Sequence, residues 1–351
     1  MTRTVLVTGV SRYLGGRVAR RLSAESGVDQ VIGVDVIPPP HDLGSSEFIR
    51  ADIRNPVIAK IIERSAVDTV VHMSVIATPM SAGGRVPMKE INVIGTMQLL
   101  AACGKSTTVR RLVVKSTTAV YGGSPRDPAC FTEDDVAKKM PRSGWGTDSV
   151  EVEGYVRGFS RRRPDVDVCV LRLANVVGPG LQTELTDYFR MPVAPTVLGF
   201  DPRLQFVHED DLVAAMVQAT LGPATGTINV AGDGVLTLSQ ALGLTGRPPV
   251  PVPRGRLTQV ARLVGRAFGV ELGPDLMRLL TYGRALDTTR MHTVLDFTPR
   301  YTTRAAFADM VATRGLRPLV DPSGIDSVID RIETAVGAVT GVGTSLIGGR
   351  R

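Results

Sequence analysis

The sequence predicts an α/β fold, a doubly wound parallel sheet that carries a smaller C-terminal lobe. Three observations predict it. Short β-branched runs alternate with helical periods up to about position 175, the order that builds a parallel sheet covered on both faces. The first run, Val5-Leu6-Val7-Thr8, passes directly into a turn bearing Gly9, Gly15 and Gly16. Beyond Gly178-Pro179-Gly180 the alternation gives way to insertions, proline-bearing segments and short strands. With 351 residues and 43% hydrophobic content, the chain can bury one large core and a smaller lobe. The expected division is 1–175 for the main core, 176–320 for a lobe with segments returning to that core, and 321–351 for a C-terminal helix and flexible tail.

In the opening turn, Gly9 lets the chain leave the strand tightly. Gly15 and Gly16 remove side chains where the following helix approaches both sheet and ligand, so its N-terminal amides can hold a pyrophosphate. Arg12 occupies the middle of this turn, where it either clamps the pyrophosphate as a cation or crowds it; Tyr13 and Leu14 lie beside it. A helix over Arg17 to Ala24 leads to a second strand, Gln30 to Val36. Its Asp35 follows Gly9 at somewhat more than the usual spacing of about 20 residues. A carboxylate there accepts hydrogen bonds from a ribose and repels a 2′-phosphate. This is a Rossmann-type dinucleotide site that favours NAD over NADP.

The later strands add candidates along the same edge. After the strand Glu47 to Ile49, Asp52 can accept from an adenine amine while Ile53 covers the ring; a solvent-facing Asp before a helix is the plain alternative. The strand Val67 to Met73 brings His72 and Met73 to the crevice, His72 either lining the nicotinamide side or serving structure. Asn92 can satisfy backbone groups around the cleft, and Gly95 reads as close helix-to-sheet packing. The strand Arg111 to Lys115 is followed by Ser116-Thr117, whose hydroxyls are placed to bond a substrate oxygen. Lys115 reaches the cleft or points behind the strand. A helix over Ser149 to Arg161 and a strand over Val166 to Arg172 complete the repeat, and Asn175 follows.

The remaining features set limits. Asp210 or Asp211 is expected to cap a helix, 227 to 231 to form a small strand, and Pro248 to Pro253 to run as an extended linker. Leu257, Val260, Ala261, Val264 and Phe268 share a helical face rimmed by Arg254, Arg256, Arg262 and Arg266, so peripheral contact with an anionic membrane or a lid over the cleft is open. The net charge of +7 comes from scattered arginines without aromatic interleaving, which argues against nucleic acid as a partner. No metal-ligand spacing is present. Cys103, Cys130 and Cys169 form no pairing motif and fit a reducing compartment. The early first strand leaves no signal peptide, and no apolar run of about twenty residues occurs, so a cytoplasmic location is the expectation. The expected partner is a small-molecule substrate, with a homodimer open.

Taken in order, Thr8-Gly9 through Gly15, Asp35, Asp52-Ile53, Asn92-Val93-Ile94-Gly95-Thr96, Val120-Tyr121-Gly122, Leu171-Arg172 through Asn175, Gly178-Pro179, Asp211-Leu212 and Leu286-Asp287 through Pro299 resemble the extended short-chain dehydrogenase/reductase family. The resemblance is in particular to its NAD-dependent nucleotide-sugar epimerases and dehydratases, over roughly residues 4–313. The resemblance implies that Thr117 positions the reacting hydroxyl. It also implies a proton-exchanging tyrosine with a lysine four residues later, the tyrosine eight residues before a glutamate. Placed on Glu153, that pattern puts Trp145 at the tyrosine and Ser149 at the lysine. Indole cannot exchange the proton and serine cannot supply the cation. Tyr13, Tyr121 and Tyr155 offer no tyrosine–lysine pair in their place. The family's arginine two residues before the Phe206-like aromatic is Leu204 here. That leaves Arg203, Arg290, Arg172 and Arg284 as phosphate candidates, with Asn175 on the substrate side.

Three functions fit these residues. The first is an atypical NAD-dependent epimerase/dehydratase-like oxidoreductase acting on a nucleotide sugar by hydride transfer. The second is a noncatalytic NAD-binding regulatory protein. The third is a dehydrogenase of lipid or isoprenoid alcohols at a membrane surface. The replaced pair predicts absent or very slow UDP-sugar 4-epimerisation unless Lys115, His72 or a tyrosine converges on the nicotinamide.

Overall fold

The computed structural model describes residues 3–74, 85–138, 140–141, 144–270 and 272–316. Strands β1 (Arg3–Thr8), β2 (Val28–Asp35), β3 (Glu47–Arg50), β4 (Thr69–His72), β5 (Arg111–Thr117) and β6 (Asp167–Leu173) join the strand Gly226–Val230 in one parallel sheet. Its spatial order is Gly226–Val230, β6, β5, β4, β1, β2, β3. The order reverses beside β1, between β4 and β2, which opens a crevice at the carboxyl ends of β1 and β4. Thr8 and His72 are register partners at that point.

Side-chain alternation divides each strand between two cores. On one face Val5, Val7, Val113 and Leu171 meet helix α1 (Tyr13–Leu22) and the helix Glu209–Leu221 through Val18, Leu22, Leu212 and Met216. On the other, Leu6, Val70, Leu112 and Val114 meet helix α2 (Val57–Arg64) and the helices Thr96–Lys105 and Trp145–Arg162 through Ile58, Ile62, Leu99, Val152 and Phe159. Each fully buried side chain of this kind contributes about 1.5–3 kcal/mol. The sheet is therefore held from both sides.

The lobe has its own core, in which Tyr188, Phe189, Phe206 and Phe307 pack by edge and face. Two segments in the range of the lobe, the helix Glu209–Leu221 and the strand Gly226–Val230, return to the main sheet. Beyond 316 the chain, including the helix and tail expected over 321–351, lies outside the described residues.

Several local expectations are corrected. The first helix starts at Tyr13 rather than Arg17, and the helix after β5 at Trp145 rather than Ser149. Pro249–Val252 is a strand paired in parallel with Ala194–Val197, not a linker; a strand with one partner tolerates proline because its other edge needs no donor. His208, not an aspartate, caps the helix Glu209–Leu221 by accepting from the Asp210 amide at 3.2 Å, while Asp211 accepts from the amides of Arg300 and Tyr301. In the helix Leu257–Phe268, Leu257 and Val264 are buried in the lobe core and Val260 packs against it, while Phe268 is exposed. Among the described residues no helix is long and apolar enough to cross a membrane.

Candidate functional site

The nucleotide end of the site is built by the glycine turn. Gly9 has φ +77°, a conformation side chains disfavour, and a Cβ on Gly15 would lie 2.1 Å from the Gly9 carbonyl oxygen. Gly16 serves packing instead, since its Cβ would fall 1.7 Å from His41 Nε2. No side chain caps α1 at Arg12, which leaves the helix N-terminus available to an anion. Asp35, at the end of β2, accepts from the Ser11 amide at 3.0 Å and the Val36 amide at 2.7 Å. The carboxylate thus stands against the turn. Burial lowers the Arg12 pKa and the charge of Asp35 offsets part of that, so Arg12 lies within the field of the acid.

Two adenine-side candidates are engaged with other residues. Asp52 holds Arg54 at 2.7 Å, and that hydrogen bonding keeps its carboxyl below the ordinary range; Arg54 also reaches Glu90 at 3.1 Å. Ile53 is buried, and a Cβ on Gly95 would lie 2.8 Å from its Cδ1, so Gly95 makes room for Ile53. Tyr13 donates to Glu209 Oε1 at 2.7 Å and ties the turn to the helix Glu209–Leu221.

Beneath the crevice runs a closed line of buried polar groups. Thr96 donates to the Asn92 carbonyl at 2.5 Å, so its oxygen accepts from His72 Nε2 at 2.8 Å. His72 Nδ1 then accepts from Thr8 at 2.9 Å, and Thr8 accepts from the Met73 amide at 3.2 Å. Asn92 donates to Asp148 at 3.2 Å. Burial, aided by the charge of Lys115, pushes His72 down to about 3. Both ring nitrogens of His72 are thus engaged by Thr8 and Thr96, and burial disfavours the charged form.

A cavity of ≈ 180 Å³ lies where the edge of the sheet meets the lobe. Its walls are mainly apolar, with Leu14, Trp145, Leu173, Leu185, Leu276 and Leu279 among them. Lys115, Thr117, Asn175 and Arg284 also line it. Alternation along β5 explains the pairing. Ser116 turns to the opposite face and donates to Glu153 at 2.6 Å, whereas Lys115 and Thr117 share the face of Val113. Thr117 accepts from the Ala119 amide at 3.2 Å, which leaves its own hydroxyl hydrogen to give. Burial, with the positive field of Arg12, lowers Lys115 to about 8.

Glu153 also forms a buried pair with Arg172 at 2.7 Å. Trp145 lines the cavity, while Ser149 donates to the Trp145 carbonyl at 2.9 Å. Tyr121 donates to Asn229 at 2.7 Å and stacks on Phe131 in the core, and Tyr155 is exposed on the outer side of its helix. Of the four arginine candidates, Arg284 alone lines the cavity. Arg203 is exposed, Arg290 binds Asp134 at 2.7 Å, and Arg172 is held by Glu153. Sequence reasoning missed Asp275, Glu184 and the leucines of the lobe wall, because nothing local marks them. Among the described residues no group of three metal-ligating side chains gathers.

A dinucleotide turn at the switch point of a parallel sheet, with a lobe closing over the reacting end, defines a nucleotide-dependent oxidoreductase of the doubly wound class. Comparison supplies the family: residues 5–231 match the model of the NAD dependent epimerase/dehydratase family, and the chain belongs to it, with NAD as its cofactor. A protein of Mycobacterium tuberculosis described as uncharacterized is 46% identical over 329 residues, covering 93% of this chain and 88% of its own. The UDP-glucose 4-epimerase of Mycolicibacterium smegmatis is 28% identical over 316 residues, covering 84% and 93%. The fold matches a Thermotoga maritima UDP-glucose 4-epimerase solved with UDP-glucose, with TM-score 0.68 and 20% identity over 89% of this chain and 98% of that one.

Proposed function

We propose that the chain oxidises a secondary alcohol of a nucleotide-linked sugar, with Lys115 doing the work of the absent tyrosine–lysine pair. The observation that carries this is the placement of Lys115 beside Thr117 on the cavity face of β5, where Trp145 and Ser149 supply no base. The Gly9–Gly15 turn, the N-terminus of α1 and Asp35 would hold NAD, which when bound supplies the hydride acceptor. The chain itself must remove the hydroxyl proton. An amine with a pKa of about 8 is neutral in about one molecule in ten at pH 7, which suffices for a general base. Thr117 orients the hydroxyl, and Trp145 makes an apolar wall that excludes water. The named activity of the Mycolicibacterium smegmatis relative supports the nucleotide-sugar reading. The apolar walls favour one second reading, a secondary alcohol on an apolar body.

The test is a screen of NAD-loaded protein with UDP-sugars and with apolar secondary alcohols, following NADH formation and epimer exchange. Turnover should rise about tenfold between pH 7 and 9 as Lys115 loses its proton. Lys115→Met should lower it by about 100- to 10,000-fold. An unchanged rate in that variant removes Lys115 from the chemistry, and NAD binding without any turnover favours the regulatory alternative.

A further inference from the structure

Arg284 gives the apolar cavity a charge that the packing does not require. It follows the helix Pro274–Tyr282, whose Leu276 and Leu279 contribute apolar surface to the same cavity. Its side chain is only 6% exposed. Nη2 donates to the Gly122 carbonyl at 2.6 Å and Nη1 lies 3.5 Å from Thr118 Oγ1, so the guanidinium is fixed by the segment that follows Thr117. Nε has no acceptor among the described residues. Two acids line this cavity, Glu184 and Asp275; Asp275 accepts from the Gly146 amide at 3.1 Å and lies 4.0 Å from Arg278. Burial draws Arg284 down to about 10, with Asp275 and Asp127 opposing.

The Nε donor is sealed within the protein, so what Arg284 offers the cavity is the charge of its guanidinium, which Asp275 and Asp127 only partly offset. We propose that Arg284 receives a carboxylate at the reacting end of the substrate, so that the cavity selects an acidic substrate, a nucleotide-linked uronate, over its neutral hexose counterpart. The acid belongs to the reacting end because Arg284 shares its cavity with Lys115 and Thr117, and a charge-assisted hydrogen bond from a rigid guanidinium discriminates carboxylate from hydroxymethyl. The uronate identity rests on the nucleotide-sugar reading; the carboxylate site itself does not.

Trp145 is the single tryptophan of the chain and lines the cavity, so its fluorescence reports occupancy directly. NAD-loaded protein is titrated with UDP-glucuronate and UDP-glucose, and separately with benzoate and benzamide, in wild type, Arg284→Gln and Arg284→Lys. The acid of each pair should bind about tenfold or more tightly, with the preference lost in Arg284→Gln and partly kept in Arg284→Lys. Equal binding of acid and neutral partner by wild type, or a preference that survives Arg284→Gln, overturns the proposal. If benzoate is preferred through Arg284 while neither UDP-sugar binds, the carboxylate site stands and the nucleotide-sugar reading falls.

Discussion

Lowering the pH tests the line of polar groups under the crevice, because His72 is the group there most displaced from its ordinary behaviour. Unfolded, its imidazole takes a proton near 6.5; folded, burial and the charge of Lys115 delay that to about 3. Between those values the unfolded chain binds a proton that the native chain refuses, so stability rises with pH across this window and falls as acid is added. At about 1.4 kcal/mol per pH unit the full difference is on the order of 4 to 5 kcal/mol, of which about 2 falls between pH 7 and 5. Urea unfolding of wild type and His72→Asn at pH 7, 6 and 5 measures it. The variant should start less stable, by about 1–3 kcal/mol for the unpaired Thr8 and Thr96, yet lose about 2 kcal/mol less on going to pH 5. Parallel losses in the two proteins would refute the claim that His72 is held neutral.

Three further outcomes follow from other parts of the site. Gly15→Ala forces a Cβ against the Gly9 carbonyl, and NAD binding measured by calorimetry should weaken by about 10- to 100-fold as the turn opens. Asp35→Asn removes the charge that repels a 2′-phosphate, so the preference for NAD over NADP should fall by roughly tenfold, and an unchanged preference would move the selection elsewhere. Glu153→Gln strands the buried Arg172, at a cost of about 3–5 kcal/mol in urea unfolding, and Glu153→Met with Arg172→Met should recover part of the loss.

What the sequence by itself determined is what neighbours along the chain determine. The β1 turn, the glycines of the close approach and Asp35 belong to one strand–helix–strand unit, and their chemistry is dictated by spacing. The register of Trp145 and Ser149 against Glu153 was likewise legible, because a single helix carries all three. The direction of Lys115 was not. Alternation puts it with Thr117, but which face of β5 bears the cavity depends on where the helices and lobe pack. His72 read as a candidate for chemistry because its partners, Thr8 and Thr96, lie 64 and 24 residues away. Four arginines looked equivalent until folding exposed Arg203, paired Arg290 and Arg172 with acids, and left Arg284 lining the cavity. Burial and electrostatic partnership are set by long-range contacts, and those two properties separate a reacting group from a structural one.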